Sequence, residues 1–320
     1  MSDEQMIEDF LQRVAESRTT AAPPAAAEAS VAQLIGIVGK NSPLRPQALT
    51  ALTRCDWPLA VNFLSALTPP GMVFVPAGLF NMGSDESVEE RPPHSVWLNS
   101  YYIDRTPVTN AQFAPFWEDV DYKESSDAWA GFEEARNLIY KRDMRRAPYY
   151  WFDTDWNRPD HPLVGVNWHE AVVFARWAGK RLPTEAEWEN AARGTDGRRF
   201  PWGNEFDARL CNTVLADEPP TTTSKPGKFS PQGDSAHSAQ DMSGNVWEWT
   251  SSVYQPYPYA AADGREDLSS PARRVLRGGG HGSRFEDHYR CAYRYAQELN
   301  YQYFSVGFRC AATIPPNMRL

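Results

Sequence analysis

The chain of 320 residues is poor in cysteine and histidine and has no surplus of positive charge. Its four cysteines, Cys55, Cys211, Cys291 and Cys310, are scattered, with no Cys-x-x-Cys pair and no cysteine–histidine grouping at zinc spacing. That pattern argues against a structural zinc site and reads as buried free thiols in a reducing compartment. The six histidines, His94, His161, His169, His237, His281 and His288, show no H-x-x-x-H spacing, so no linear iron site is presented. Acidic residues outnumber Lys plus Arg, 41 to 32, for a net charge of −9. A nucleic-acid partner is therefore not expected, because such affinity comes mainly from neutralising phosphates. No apolar run approaches the roughly 18 residues a membrane helix needs, and no membrane partner is expected. The acidic start Met1-Ser2-Asp3-Glu4 lacks the basic-then-apolar pattern of a secretory signal. The expected location is cytoplasmic. A Gly-x-Ser-x-Gly elbow, a P-loop and a dinucleotide fingerprint are missing too.

What the chain has in quantity is aromatic residues: 12 Trp, 14 Tyr and 15 Phe beside 20 Gly and 26 Pro. Hydrophobic residues make up 42%, enough to bury a real core and to exclude wholesale disorder. Many turn formers and large rings with few long periodic runs describe a large, loop-rich domain held by big side chains.

Residues 1–70 read differently from the rest. Met6, Ile7, Phe10, Leu11 and Val14 recur at helical spacing and predict a helix over 3–18. Thr19 to Ala27 has the small residues and paired prolines of a flexible tether. Three short helices are expected next, around Val31–Val38, after Pro46, and around Ala60–Leu67. So small a helical piece is either a cap on the main domain or an adaptor for a partner protein. From residue 71 the pattern turns to strands: Met72–Val75, a hairpin partner at Leu79–Gly83, and a continuous strand over Val96–Ile103. Thr109, Asn167 and Thr184 are good N-caps for three helices, and Gly179 is a C-terminal cap. Residues 121–156 read as a long insertion loop. Trp188, Trp202, Trp247 and Trp249 are expected core anchors, and Arg277 is expected to sit in a buried charge pair with Glu185 or Glu189 as the kind of partner.

The blocks GMVFVPAGLFNMGS (71–84), YYIDRTPVTNAQF (101–113), HPLVGVNWHEAVVFARWAGKRLPTEAEWENAARG (161–194), FPWGNEFD (200–207), MSGNVWEWTSS (242–252), RVLRGG (274–279) and VGFRCA (306–311) run in one order. Together they resemble the formylglycine-generating enzyme, or sulfatase-modifying factor, family. The resemblance covers about residues 71–313 and implies an α+β, C-type-lectin-like fold of low regular secondary structure, preceded by the helical segment and followed by a tail at 314–320. It also implies a calcium site with the Asp241 and Glu248 side chains and the Gly244 and Val246 carbonyls as ligands. The alternative is that Glu248 pairs with an arginine and no metal binds. A second calcium site of the family is damaged, since Asn212-Thr213 is followed by TTTSKPGKFSPQG (221–233) where acidic residues are expected.

Catalysis in formylglycine-generating enzymes depends on two copper(I)-binding cysteines after the RGG block. Here that stretch, Gly280 to His288, has none, so neither copper nor iron is expected. The segment instead holds His281, Ser283, Phe285, His288, Tyr289, Tyr293, Tyr295, Asn300, Tyr301, Tyr303, Phe304 and Ser305. Rigid aromatics with small polar residues are the chemistry of a binding surface. The segment resembles the variable region of diversity-generating-retroelement proteins, which share this fold. The reading is a non-catalytic module that binds a protein or peptide through residues 281–305. The alternative is a metal-dependent oxidoreductase of the formylglycine-generating or sulfoxide-synthase type with a rearranged site. A further alternative has the insertion 121–156 occupying that surface.

Overall fold

In the computed structural model, which describes residues 2–17, 27–39, 42–120, 129–133 and 147–313, the N-terminal apolar stripes become four helices. These are α1 (Asp3–Ser17), α2 (Ala27–Gly39), α3 (Arg45–Leu52) and α4 (Pro58–Ala66). Pro46 and Pro58 lie in the first turns of α3 and α4, where a missing N–H has no intrahelical acceptor to forfeit. Phe10 meets Trp57 edge to face at 5.3 Å, amid Val14, Val31, Leu34, Leu49 and Leu64. Of the expected tether only Ala27 is described, and the tail at 314–320 lies outside the described residues.

The chain divides into two compact units, Met1–Leu79 with Trp97–Ile103 and Ala312–Leu320, and Phe80–Val96 with Asp104–Ala311. Besides the helices, the first unit carries most of a three-stranded sheet in the order β1-β4-β9, from β1 (Met72–Val75), β4 (Tyr101–Asp104) and β9 (Ala311–Ala312). Two strand expectations need correction. β2 (Gly78–Met82) pairs with β3 (His94–Leu98) and not with β1. The Ala77 N–H is given to Ser100 Oγ at 2.8 Å, so the chain turns out of β1's ladder before β2 begins. The strand expected over 96–103 is two strands, because Ser100 leaves the ladder and its N–H donates to the Thr53 carbonyl at 2.6 Å.

The second unit is organised around a four-stranded sheet, β7-β6-β5-β8. It is made of β5 (Trp247–Val253), β6 (Arg274–Arg277), β7 (Tyr295–Gln297) and β8 (Val306–Phe308). β5 pairs antiparallel with β6, Glu248 opposite Arg277, and parallel with β8, Trp249 opposite Phe308. The helices α5 (Asn110–Val120), α6 (Trp168–Trp177) and α7 (Glu185–Arg193) begin at the expected caps. Asn167 and Thr184 each form a full capping box, with Glu170 and Glu187. Trp168 and Trp249 are fully buried in the core beside Phe113, Phe174 and Phe308. Trp188 is fully buried and Trp247 nearly so, whereas Trp202 is only half-buried and stacks on Phe200.

α7 also carries the charges that hold the sheet. Glu185 accepts from Arg294 Nε and Nη2, both at 3.0 Å, from Arg265 Nη1 at 3.2 Å and from Arg277 Nη2 at 3.3 Å. Glu189 accepts from Arg277 at 3.0 Å and from Arg193 at 2.7 Å. Arg277 thus takes both of its expected partners. All these groups are buried. A buried ion pair adds little net stability by itself, but removing one partner strands the other without water. Glu185→Gln should therefore lower the unfolding free energy by about 3–5 kcal/mol in urea titration, with the slope unchanged.

Candidate functional site

β6 ends in Arg277, and Gly278, Gly279 and Gly280 lead the chain away from it. Gly279 has φ +74°, and a Cβ there would lie 2.8 Å from the His288 carbonyl oxygen, so only glycine lets the loop close on itself. The loop is then fastened from below. Tyr289 Oη donates to the Ser283 carbonyl at 2.7 Å, and Ser283 Oγ accepts from the Gly280 N–H at 3.1 Å. The His281 N–H donates to the Asn245 carbonyl at 3.0 Å, and the Trp247 N–H to the Ser305 carbonyl at 2.7 Å. These contacts correct the expected surface: His281, Ser283, Tyr289 and Ser305 are buried and build the loop rather than face a ligand. The sequence pattern counts polar and aromatic residue types and cannot say which are spent on the loop's own carbonyls and amides.

The other eight form a surface. Phe285 and Tyr303 are 67% and 42% exposed, Asn300 is exposed, and His288, Tyr293, Tyr295, Tyr301 and Phe304 are half-buried. Trp247 is the hub of one patch, 5.2 Å from Tyr295, 5.6 Å from His288 and 5.9 Å from Tyr293 between ring centres. Phe285 packs on His288 at 5.4 Å. A second row runs from Tyr301 through Tyr303 and Phe304 to Trp156 and Tyr150. Tyr149, Tyr150 and Trp156 also contribute; the sequence offered the insertion 121–156 as an alternative occupant of this surface but did not single out these residues. Their signal was the aromatic density of residues 149–156, which has no period to place it. That part of the insertion packs on His281 and Phe304, Trp156 at 5.6 and 5.4 Å. The insertion's remainder, 121–128 and 134–146, lies outside the described residues.

Burial pushes the His281 and His288 imidazoles down from their ordinary value, so both are neutral at pH 7. It pushes Tyr301 up to about 12, so its hydroxyl keeps its proton. The two imidazoles and the Tyr301 phenol are therefore uncharged, and the phenol can donate a hydrogen bond.

The four cysteines are all free and all buried. Burial pushes Cys291 up to about 12 and also raises Cys211 and Cys310. Among the described residues no three His, Cys, Asp or Glu side chains come together as a metal-holding group.

Of the expected calcium ligands, Asp241, Gly244 and Val246 precede β5, with φ of +55° at Asp241 and +64° at Asn245, whereas Glu248 lies in β5. The donor set does not fit the ion in this arrangement. Glu248 Oε2 accepts from Arg309 Nε at 2.6 Å and from Trp188 Nε1 at 2.7 Å, and its Oε1 accepts from Arg309 Nη2 at 2.8 Å. A guanidinium already neutralises the carboxylate that calcium would need. Asp241 is buried and accepts from Asn245 Nδ2 at 3.0 Å. Asn212 Nδ2 donates to the Thr222 carbonyl and to Asn245 Oδ1, so amide hydrogen bonds knit the expected second site.

The sulfatase-modifying factor enzyme 1-like domain model matches residues 61–314. The chain belongs to this family. Among its relatives, the formylglycine-generating enzyme of Bos taurus is 30% identical over 332 residues, covering 89% of this chain and 88% of that protein. The formylglycine-generating enzyme of Streptomyces coelicolor is 35% identical, covering 75% of this chain and 88% of that one. Among solved structures, PvdO from Pseudomonas aeruginosa has a TM-score of 0.57 at 25% identity, over 75% of this chain and 93% of that one. Treponema denticola variable protein 1 shares the fold, with a TM-score of 0.54 at 21% identity over 76% and 94%. The α+β, lectin-like architecture expected from the sulfatase-modifying factor motif blocks is thus the architecture of the chain.

Two outcomes follow for this family member. At pH 8 a thiol-specific disulfide reagent should titrate none of the four cysteines in the native protein and all four in denaturant, because the thiolate is the reactive form. The melting temperature in excess chelator and in millimolar calcium should agree within about 2 °C, since an ion that binds only the folded state would raise it.

Proposed function

We propose that this family member is a non-catalytic recognition module. The supporting observation is the aromatic surface in which Phe285 and Tyr303 are exposed and Tyr295 and Tyr301 half-buried, together with the lack of cysteine in Gly280–His288, where the resemblance implies the copper-binding pair. Large, rigid rings with phenolic donors bind a protein or peptide surface at little entropic cost. The helical N-terminal residues serve as the element that engages a second protein. The cytoplasm is the compartment in this reading; among the described residues no helix is long and apolar enough to cross a membrane. The surface is of the kind that a diversified variable region presents, and Treponema denticola variable protein 1 shares its fold. A structural calcium ion has no part in the reading, because Glu248 is committed to Arg309.

The test is selection of random phage-displayed peptides on the immobilised full chain. Enriched peptides should bind Phe285→Ala/Tyr303→Ala at least about tenfold more weakly, as expected when two anchors of an interface are truncated. The melting temperature of that variant should be unchanged, since both rings are exposed. Equal affinity for the variant, or stoichiometric copper or iron retained by the purified chain through dialysis, would overturn the proposal in favour of the oxidoreductase reading.

A further inference from the structure

The two edges of the four-stranded sheet are not equivalent. Along β8, the Val108 N–H donates to the Phe308 carbonyl at 2.9 Å and the Gly165 N–H to the Val306 carbonyl at 3.0 Å, so that edge is covered. β7 is the other edge, paired with β6 on one side only. Among the described residues no backbone group pairs with its outer side. Tyr295, Ala296 and Gln297 are all half-exposed. An open strand edge is a template for a further strand.

Directly after β7 the chain enters the wall of a cleft of about 670 Å³. Its apolar surface comes from Phe132, Leu268, Pro271 and Leu299, and His169, Glu133 and Glu298 line it too. No lining residue is Lys or Arg. Burial and the nearby Arg274 push His169 down to about 4, so it is neutral at pH 7 and adds no repulsion toward a cation. Arg274 itself is buried and committed elsewhere. It donates to the Ser251, Asp267 and Ser270 carbonyls at 2.7–2.8 Å and lies 4.1 Å over the Trp168 ring. An apolar trough with glutamates but no Lys or Arg in its lining suits a side chain with an aliphatic stem and a cationic head.

We propose that β7 and this cleft together form a second binding site, for an extended peptide carrying Lys or Arg. The peptide main chain adds to the free edge of β7, and one basic side chain enters the cleft, with its stem on Phe132, Leu268 and Leu299 and its charge at Glu298. Main-chain hydrogen bonds supply affinity and the cleft supplies selectivity, the division of labour usual in strand addition. The site adjoins the aromatic surface and shares Tyr295 and Asn300 with it, but it does not include Phe285 or Tyr303.

The experiment is fluorescence polarisation of the full chain with three labelled probes: an alternating valine–lysine hexapeptide, its valine–glutamate twin, and the lysine peptide N-methylated at alternate amides. The lysine peptide should bind at least about tenfold more tightly than the glutamate twin. N-methylation should weaken it by a similar factor, because it removes the strand-forming donors. Glu298→Gln, a change at an exposed position that should leave the melting temperature unaltered, should weaken the lysine peptide by about fivefold, and the loss should shrink in high salt. Retention of lysine-peptide binding by Phe285→Ala/Tyr303→Ala would support this site independently of the aromatic surface. Equal affinity for the lysine and glutamate peptides, or for the methylated and unmethylated ones, would overturn the proposal.

Discussion

Two glutamates on one short helix hold the larger unit of this molecule together. Glu185 and Glu189 lie in an interior where an isolated carboxylate would be untenable, and they are tolerable because Arg193, Arg265, Arg277 and Arg294 converge on them. The arginines come from the helix itself, from the segment before β6, from the end of β6 and from the approach to β7. One charge cluster therefore fixes both ends of the chain between Arg277 and Arg294. Arg290, between them, is anchored to Glu90 at 2.7 and 2.8 Å. The segment is thus pinned at three buried arginines, Arg277, Arg290 and Arg294.

That division separates the frame from the side chains that lie outside it. The frame asks for glycines after β6, arginines in its pairs and a tyrosine under the loop. It asks little of Phe285, Asn300 or Tyr303, whose side chains reach solvent. Substitution at such exposed positions leaves the frame's contacts unchanged. The thiols that remain, Cys291 and Cys310 among them, are interior packing, with burial holding them protonated.

Much of this was legible in the residues. Helix starts at Asn167 and Thr184 were readable because a capping box is local chemistry, complete within four residues. The Arg277 partners were readable because a buried arginine requires carboxylates, and α7 offers two on one face. The fold followed from the order of the motif blocks. Strand pairing was harder: β1 and β2 are neighbours in sequence, yet a single serine, Ser100, takes the amide that would have continued the turn into a hairpin.

The sequence by itself determined the class of the domain, its caps, its buried charge pairs and the missing thiols after the RGG block, since each depends on residue type and short spacing. Only the tertiary structure decided which of twelve candidate side chains face outward, that Tyr149, Tyr150 and Trp156 join them, and that Arg309 claims Glu248 before calcium can. The physical reason is that a side chain's partner is chosen by distance in space. Arg309 and Glu248 are 61 residues apart along the chain and 2.6 Å apart in the fold.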